Sequence, residues 1–197
     1  MATVWDPADK TTNITLSSGN HIATTTGGAG NEGVRASPTY HGASGKWYLE
    51  YTGISFGHTS RWGFTSAMET LGDTAGVLGI DTAGWINAGA GGPCGDPTGH
   101  TVCFAMDFDN KKMWVRYDGG AWVGNGGASP DPATDTNGVD ITGFTSPVVP
   151  YFYGQFSGDT GTLNCGDSAF VQAIPSGFTA WDSIPPPPPV SYGQVIC

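Results

Sequence analysis

Short runs of alternating apolar and polar residues recur along the chain. In GKWYLEYTGI the side chains of Trp47, Leu49 and Tyr51 fall on one face of an extended strand, and Ile14 and Leu16 do the same in TNITLS. No long window has the i, i+3, i+4, i+7 apolar spacing of a helix, and Gly or Pro interrupts nearly every stretch where a helix could start. The pattern predicts half-buried β-strands and almost no helix.

The clearest pair of strands is a hairpin. In TVCFAMDF the residues on one face are Val102, Phe104, Met106 and Phe108, and those on the other are Cys103, Ala105 and Asp107. In KMWVRY the alternation places Met113, Val115 and Tyr117 opposite Lys112, Trp114 and Arg116. The polar residues 109–111 form the turn between these strands, and a second turn at 118–120 leads into Ala121-Trp122-Val123.

Further strands are predicted at 61–66, 77–80, 84–87, 148–155 and 160–165. A single sheet built from them would leave one apolar face in water, so two antiparallel sheets packed face to face are expected. The segments 88–99 and 124–138 are dominated by Gly, Pro, Asp and small residues, and they are predicted to be surface loops.

Composition and charge reduce the range of partners and functions that the chain can have. The 197 residues suffice for one domain, and 32 glycines with only 12% charged residues fit a chain rich in turns. A net charge of −10 disfavours nucleic acid and anionic membranes as partners. The opening MATVWDPADK lacks the pattern of a signal peptide, and no apolar stretch approaches the ~18 residues of a membrane span. We expect no nucleic-acid partner, no membrane partner, and release from a cell by another route.

The composition changes after Asp182. The consecutive prolines from Pro185 to Pro189 cannot donate sheet hydrogen bonds and favour an extended polyproline helix. The predicted organisation is therefore a sandwich domain over residues 1–182 and a proline-rich arm over 183–197. Because the arm ends in Tyr192, Ile196 and Cys197, it is interpreted either as an assembly clamp that forms an inter-chain disulfide or as a disordered tail with a free thiol.

The four cysteines are Cys94, Cys103, Cys165 and Cys197. They lack the CxxC spacing and flanking histidines of a zinc site. Two interpretations are open: buried or idle thiols, and disulfides formed in an oxidising medium. If bridges form, Cys94 and Cys103 are plausible partners because a Gly/Pro loop could fold back onto the adjacent strand, which leaves Cys165 and Cys197 for other bonds.

Residues suited to catalysis do not form a motif. The glutamates are Glu32, Glu50 and Glu69, and turn formation at a strand end explains Asp107 and Asp109 better than a glycosidase carboxylate pair does. The histidines, His21, His41, His58 and His100, have no HxH or HExxH spacing. No GxSxG segment occurs, and the aspartates of 131–140 lack calcium-loop spacing. We expect a protein that is not an enzyme and has no cofactor or metal.

Seven tryptophans occur in the chain, and Trp62, Trp85 and Trp122 lie near predicted loops. Sugar-binding surfaces use such aromatic platforms, but sandwich cores also use tryptophan. Core packing and a ligand-facing position are both open for these residues.

Several segments, taken in order, resemble the SPRY family, especially the form found in bacteriophage proteins. They are WDPADKTTNITLSSGN, GKWYLEY, AGVLGIDTAGW, FAMDFDNKKMWVRYDGG, VVPYFYGQFSGDTGTLNCG and PSGFTAWD, and they cover most of residues 1–182. The resemblance implies a bent antiparallel β-sandwich of the concanavalin-like jelly-roll type whose variable loops bind a partner. It implies no cofactor and no catalytic residues. Cys103 and Cys165 depart from the usual small and aromatic residues at their positions, which suggests added cysteine chemistry.

The resemblance supplies most of the expected function. It implies a non-catalytic structural or accessory protein of a bacteriophage-like virion: a head decoration, a neck or collar protein, or a tail fibre component. Its expected partners are other virion proteins or copies of itself, and it would be made in the bacterial cytoplasm and become extracellular at lysis. The alternative is a module that binds a carbohydrate or host receptor, with a cell-surface glycan as its ligand.

Overall fold

The computed structural model describes residues 2–27, 30–38, 44–55, 60–66, 70–72, 77–81, 95–126, 129–144 and 147–183. The strands in these ranges are β1 (Val4–Lys10), β2 (Ile14–Ser17), β3 (Ile22–Thr25), β4 (Glu32–Ser37), β5 (Lys46–Ser55), β6 (Arg61–Ser66), β7 (Leu78–Ile80), β8 (Val102–Asp107), β9 (Lys112–Tyr117), β10 (Val139–Asp140), β11 (Val148–Gly154), β12 (Thr160–Asn164) and β13 (Thr179–Ala180). The helical structure within the same ranges is one 3-10 helix, Pro132–Thr134. It is far too short to cross a membrane, and no described helix is long and apolar enough to do so.

The strands form two sheets. The smaller sheet has the order β1-β4-β11-β6-β7, and its neighbours are antiparallel. The larger sheet has the order β10-β9-β8-β5-β12-β3-β2, with β13 paired in parallel to the start of β5. At the contact between β6 and β7, Gly63 lies opposite Gly79, and a Cβ on either glycine would collide with the main chain of the other strand.

Most predicted strands are confirmed. The predicted hairpin is present as β8 and β9, with Phe104 opposite Val115 and Met106 opposite Met113. The predictions for 61–66, 148–155 and 160–165 correspond to β6, β11 and β12. The proposed strand at 84–87 and residues 88–94 of the first predicted loop lie outside the described residues.

Large aromatic side chains fill the space between the sheets. Trp62 stacks on Phe152 at a centroid distance of 4.0 Å and lies 5.3 Å from the ring of Tyr51. Phe104 contacts Phe64 edge to face at 5.3 Å. These residues come from both sheets and are fully buried, so each contributes about 1.5–3 kcal/mol or more of transfer free energy.

The larger sheet is also covered on its outer face. Tyr48, Cys103, Ala105, Trp114 and Phe178 form a second buried cluster there. Its cover is the segment 167–178 between β12 and β13, which we call the strap. Strand β8 and residues 47–51 of β5 are therefore buried on both faces, unlike the half-buried strands that the alternation predicts.

The first and last described segments meet. The backbone N–H of Thr3 donates to Asp182 Oδ2 at 2.9 Å, and the Thr3 hydroxyl donates to the other oxygen of the same carboxylate. Asp182 N donates in turn to the carbonyl of Cys165 at 2.9 Å. The sandwich therefore includes both residues 3 and 182. The arm residues Pro185, Pro189, Tyr192, Ile196 and Cys197 lie outside the described residues, and the predicted clamp stays a prediction.

Candidate functional site

Trp62 is not a ligand-facing aromatic. It is fully buried because β6 lies between β11 and β7 and its side chain faces the space between the sheets, where it contacts Tyr51 of the opposite sheet and Trp5 and Phe152 of its own sheet. The position close to a predicted loop gave no sign of this, since the burial depends on strands distant in sequence. Trp85 lies outside the described residues.

Trp122 lies at the surface. It is half-buried, packs against the outer cluster of the larger sheet, and has the guanidinium carbon of Arg116 at 4.4 Å from its ring centroid. This distance is that of a cation–π contact. Of the tryptophans proposed as ligand-facing, Trp122 is the one that the structure places beside solvent within the described residues.

The carboxylate of Glu50 anchors the strap from below. Glu50 lies on β5, is fully buried, and accepts hydrogen bonds from the backbone N–H groups of Val171 and Gln172, both at 2.8 Å. Its Oε1 also accepts from the Tyr48 hydroxyl at 2.7 Å. Burial raises the pKa of Tyr48 far above its usual value, so this hydroxyl keeps its proton and acts as a donor.

Arg116 holds the next part of the strap. Its Nη2 donates to the carbonyl oxygen of Ala173 at 2.7 Å. The ring of Phe170 packs edge to face on Tyr48 at 4.9 Å, and Phe178 packs in the same way on Trp114 at 6.3 Å. The strap has no regular secondary structure, but charged groups and aromatic contacts fix it along its length.

This fixation leaves two aliphatic side chains outside. Val171 is 61% exposed and Ile174 is 37% exposed, and they are the exposed large hydrophobic side chains of the described residues. Arg116 contacts the Trp122 ring and the carbonyl oxygen of Ala173, the residue before Ile174. We call Arg116, Trp122, Val171 and Ile174 the strap surface.

Acidic groups lie near the strap surface. Asp118 is half-exposed and hydrogen-bonds His100 at 2.7 Å, and it precedes Gly119, which lies next to the Gln172 side chain. Asp167 begins the strap and pairs with His21 Nε2 at 3.1 Å. The Nδ1 of His21 faces the carbonyl of Leu163 at 3.3 Å, so both ring nitrogens face acceptors.

The Asp107 carboxylate is structural, as the turn interpretation predicts. It is fully buried and accepts from the backbone N–H groups of Asp109 and Asn110 at 2.9 and 3.0 Å, while Lys46 Nζ lies 2.8 Å from Oδ2. Burial raises the pKa of Asp107, but the hydrogen bond from Lys46, those from Asn110 and the lysine charge outweigh it and leave the pKa below its ordinary value. Asp109 accepts from Gly45 N at 2.9 Å, which ties the turn to the start of β5.

Other acidic side chains hold loops. Asp159 is buried and accepts from the backbone N–H groups of Gln155 and Phe156 and from the hydroxyl of Ser60. Asp131 caps the 3-10 helix by accepting from Ala133 N. Within the described ranges, no group of three or more His, Cys, Asp or Glu side chains is placed to hold a metal ion. His41, His58 and Glu69 lie outside those ranges.

Cys103 and Cys165 are buried free thiols. Burial raises the pKa of both, and the nearby carboxylates of Glu50, for Cys103, and of Asp182 and Asp167, for Cys165, act in the same direction. For these two residues the structure agrees with the interpretation as buried thiols, and it does not support the alternative in which Cys103 pairs with Cys94 or Cys165 forms a disulfide. Cys94 and Cys197 lie outside the described residues.

The strap and its anchors were missed by the sequence analysis. The available signal was an apolar series without alternation, Phe170, Val171, Ile174 and Phe178, in a segment with Pro and Gly. Such a series predicts neither strand nor helix, and nothing near Glu50 in the sequence indicates that its partners lie some 120 residues away.

Comparisons with known proteins identify the fold. No protein-family model and no curated protein matches the sequence. Among solved structures, the SPRY domain of human HERC1 is similar with a TM-score of 0.55 and 13% identity, over 84% of this chain and 99% of that one. The TRIM65 PSpry domain is similar with a TM-score of 0.56 and 14% identity, over 83% of this chain and 92% of that one.

These similarities show the fold alone. They do not test the resemblance to the bacteriophage form of the SPRY family, which stays a prediction. The structure agrees with them in its two packed sheets, its antiparallel order and its lack of α-helix in the described residues. The protein therefore has the SPRY-type fold, a bent antiparallel β-sandwich of the concanavalin-like jelly-roll type.

Proposed function

We propose that the protein is a non-catalytic binding module whose partner is another protein. The observation that carries the proposal is an irregular surface segment, the strap, that the buried Glu50 carboxylate and the partly exposed Arg116 guanidinium hold on a SPRY-type sandwich. Preformed loops on a rigid scaffold are typical of binding proteins, since little ordering entropy is lost when the partner arrives.

The buried carboxylates support a non-catalytic role. Glu50, Asp107 and Asp159 each accept several hydrogen bonds from backbone N–H groups or neighbouring side chains, and these contacts explain their burial. A general acid or base needs a carboxylate that faces a cleft open to substrate. These three carboxylates serve as anchors for turns and for the strap.

The biological setting we propose is a bacteriophage-like particle. In this proposal the protein is a virion accessory or structural component, on the head, the neck or the tail, and its partners are other virion proteins or copies of itself. It is made in the bacterial cytoplasm and becomes extracellular at lysis. Support comes from the ordered sequence resemblance and from an acidic surface, with a net charge of −10, that disfavours adhesion to nucleic acid.

A purified particle from the source of the chain tests this setting. The particle and the recombinant protein are run side by side on reducing and non-reducing gels, and the band is identified and its copy number measured by mass spectrometry. We expect a constant copy number per particle after a high-salt wash. Absence of the protein from washed particles would contradict the virion role but not the binding role.

Carbohydrate binding through tryptophan is less well supported. Trp62 is in the core, and Trp122 is half-buried with one face near Arg116. A glycan array distinguishes the two proposals: saturable glycan binding that Trp122→Ala abolishes would favour the carbohydrate module over a protein partner.

A further inference from the structure

We infer that the strap surface is a docking surface for a protein segment that carries an aliphatic or aromatic side chain flanked by lysine or arginine. The inference rests on the proposed binding function and specifies its site and the chemistry of its partner.

The first argument is the arrangement of the strap. The buried Glu50 carboxylate draws the N–H groups of Val171 and Gln172 inward, while the apolar side chain of Val171 is left 61% exposed. Placing a charge inside and an aliphatic group outside is costly for folding alone, since water solvates the charge better and the core solvates the aliphatic group better. A partner that covers Val171 and Ile174 would remove these aliphatic side chains from water and so offset the cost of the arrangement.

The second argument is that exposed apolar groups are concentrated at this place. Within the described residues, the large hydrophobic side chains that are exposed are both on the strap, three positions apart. Arg116 lies against the half-buried ring of Trp122 and donates to the carbonyl oxygen of Ala173, the residue before Ile174. Single exposed aliphatic residues are ordinary, whereas two of them on one fixed segment point to an interaction site.

The third argument is charge. The chain carries 17 acidic and 7 basic residues. Several of the cations are engaged within the fold: Arg35 pairs with Asp9, Lys46 with Asp107, and Lys112 with Asp135.

Two partly exposed carboxylates belong to the strap or lie next to it: Asp167 is a strap residue that pairs with His21, and Asp118 pairs with His100 and precedes Gly119, which lies next to Gln172. The guanidinium group of Arg116 donates to the carbonyl oxygen of Ala173 in the strap and lies over the Trp122 ring. An approaching segment therefore meets two exposed aliphatic side chains, Val171 and Ile174, on a protein of net charge −10, and lysine or arginine beside its own apolar residue complements that charge.

The experiment uses the full chain as bait for a displayed library of random 12-residue peptides. The enriched peptides are synthesised, and their affinities are measured by fluorescence anisotropy at low and physiological salt. The test variant is Val171→Thr with Ile174→Thr, which keeps the branch at Cβ but replaces a methyl group of Val171 and the ethyl group of Ile174 by hydroxyl groups. A further variant adds Thr15→Val to this pair, which returns an exposed valine on β2, at the far edge of the larger sheet.

We expect enriched peptides with an apolar residue flanked by basic ones. We also expect at least tenfold weaker binding to the double variant, no recovery on adding Thr15→Val, and a lower affinity of the parent at higher salt. Unfolding curves that match the parent's confirm that the variants are folded.

Each other outcome is informative. Equal binding of the peptides to parent and double variant would show that they use another surface, so the docking inference would be wrong while the binding function stands. Recovery with Thr15→Val would reveal general adhesion and also overturn the inference. Enriched peptides without basic residues would refute the proposed chemistry of the partner. If no peptide of the library binds saturably, the docking inference is wrong, and the particle measurement then decides the proposed function.

Discussion

Replacing Glu50 by glutamine tests whether one buried carboxylate holds the strap. Glutamine has nearly the same shape, but it offers one acceptor oxygen in place of two. Of the two orientations of the glutamine amide, the more favourable one keeps the hydrogen bonds from Tyr48 and Gln172 at Oε1. The amide NH2 then faces the backbone N–H of Val171, which donates to Oε2 of Glu50 at 2.8 Å in the wild type. One charge-assisted hydrogen bond is lost, and the part-buried N–H of Val171 is left facing another donor.

The magnitude follows from that loss. A hydrogen bond to a charged group contributes about 1.5–3 kcal/mol, and an unsatisfied buried donor costs a similar amount. Because the glutamine no longer buries a charge, part of this cost is offset. We expect the free energy of unfolding to fall by about 1.5–3 kcal/mol.

Urea unfolding measures the global effect, and native-state amide exchange measures the local one. The amides of Val171 and Gln172 should lose protection more than those of the β8–β9 hairpin, because the strap opens before the sandwich does. Asp140→Asn is the matched control, since this exposed carboxylate accepts from Thr142 N at 2.8 Å but covers nothing buried, and its effect should be smaller. Unchanged unfolding and unchanged exchange in the Glu50→Gln protein would refute the anchor.

Three further predictions follow from burial and charge. Trp62→Ala should lower the free energy of unfolding by about 3–5 kcal/mol, and Trp122→Ala by clearly less, in urea titrations; equal losses would mean that Trp62 is not a core residue. Asp107→Asn should destabilise the protein at pH 7. Because the folded-state pKa of Asp107 is lowered, the carboxylate contributes to the free energy of unfolding above the unfolded-state pKa of about 3.9, and this contribution is lost as pH falls through the folded-state pKa. A stability difference between variant and wild type that persists undiminished at pH 2 contradicts this account. Cys103 and Cys165 should react with iodoacetamide only on unfolding, as followed by peptide mass spectrometry, and rapid labelling of the native protein would be incompatible with their burial.

Local patterns in the sequence predict the sheets well. The alternation from Val102 to Tyr117 specifies both strands, their turn and the core-facing side, because a strand's period of two fixes which residues share a face. The buried positions of Trp47 and Leu49 follow from the same pattern. Strands β1, β3 and β4 are harder to predict, since their sequences are rich in Thr, Gly and charged residues and owe their place to pairing with distant strands.

The candidate site could not be predicted in the same way. The position of Trp62 depends on its stacking with Phe152, 90 positions later in the chain. Glu50 belongs to an alternating strand whose polar face would ordinarily meet water, and only the return of residues 167–178 across that face makes it a buried anchor. Long-range contacts of this kind leave no local pattern, so the sequence indicates a binding fold without indicating where it binds.

The contact between Thr3 and Asp182 has a consequence for engineering and for evolution. A backbone N–H of one end lies 2.9 Å from a carboxylate oxygen of the other, so a host protein would need only a narrow gap between two residues of a surface loop to accept the whole sandwich as an insertion. A circular permutant that joins these ends with a short glycine linker and opens the turn at 109–111 should therefore keep both sheets. Such a domain can be inserted into one surface loop of unrelated carrier proteins.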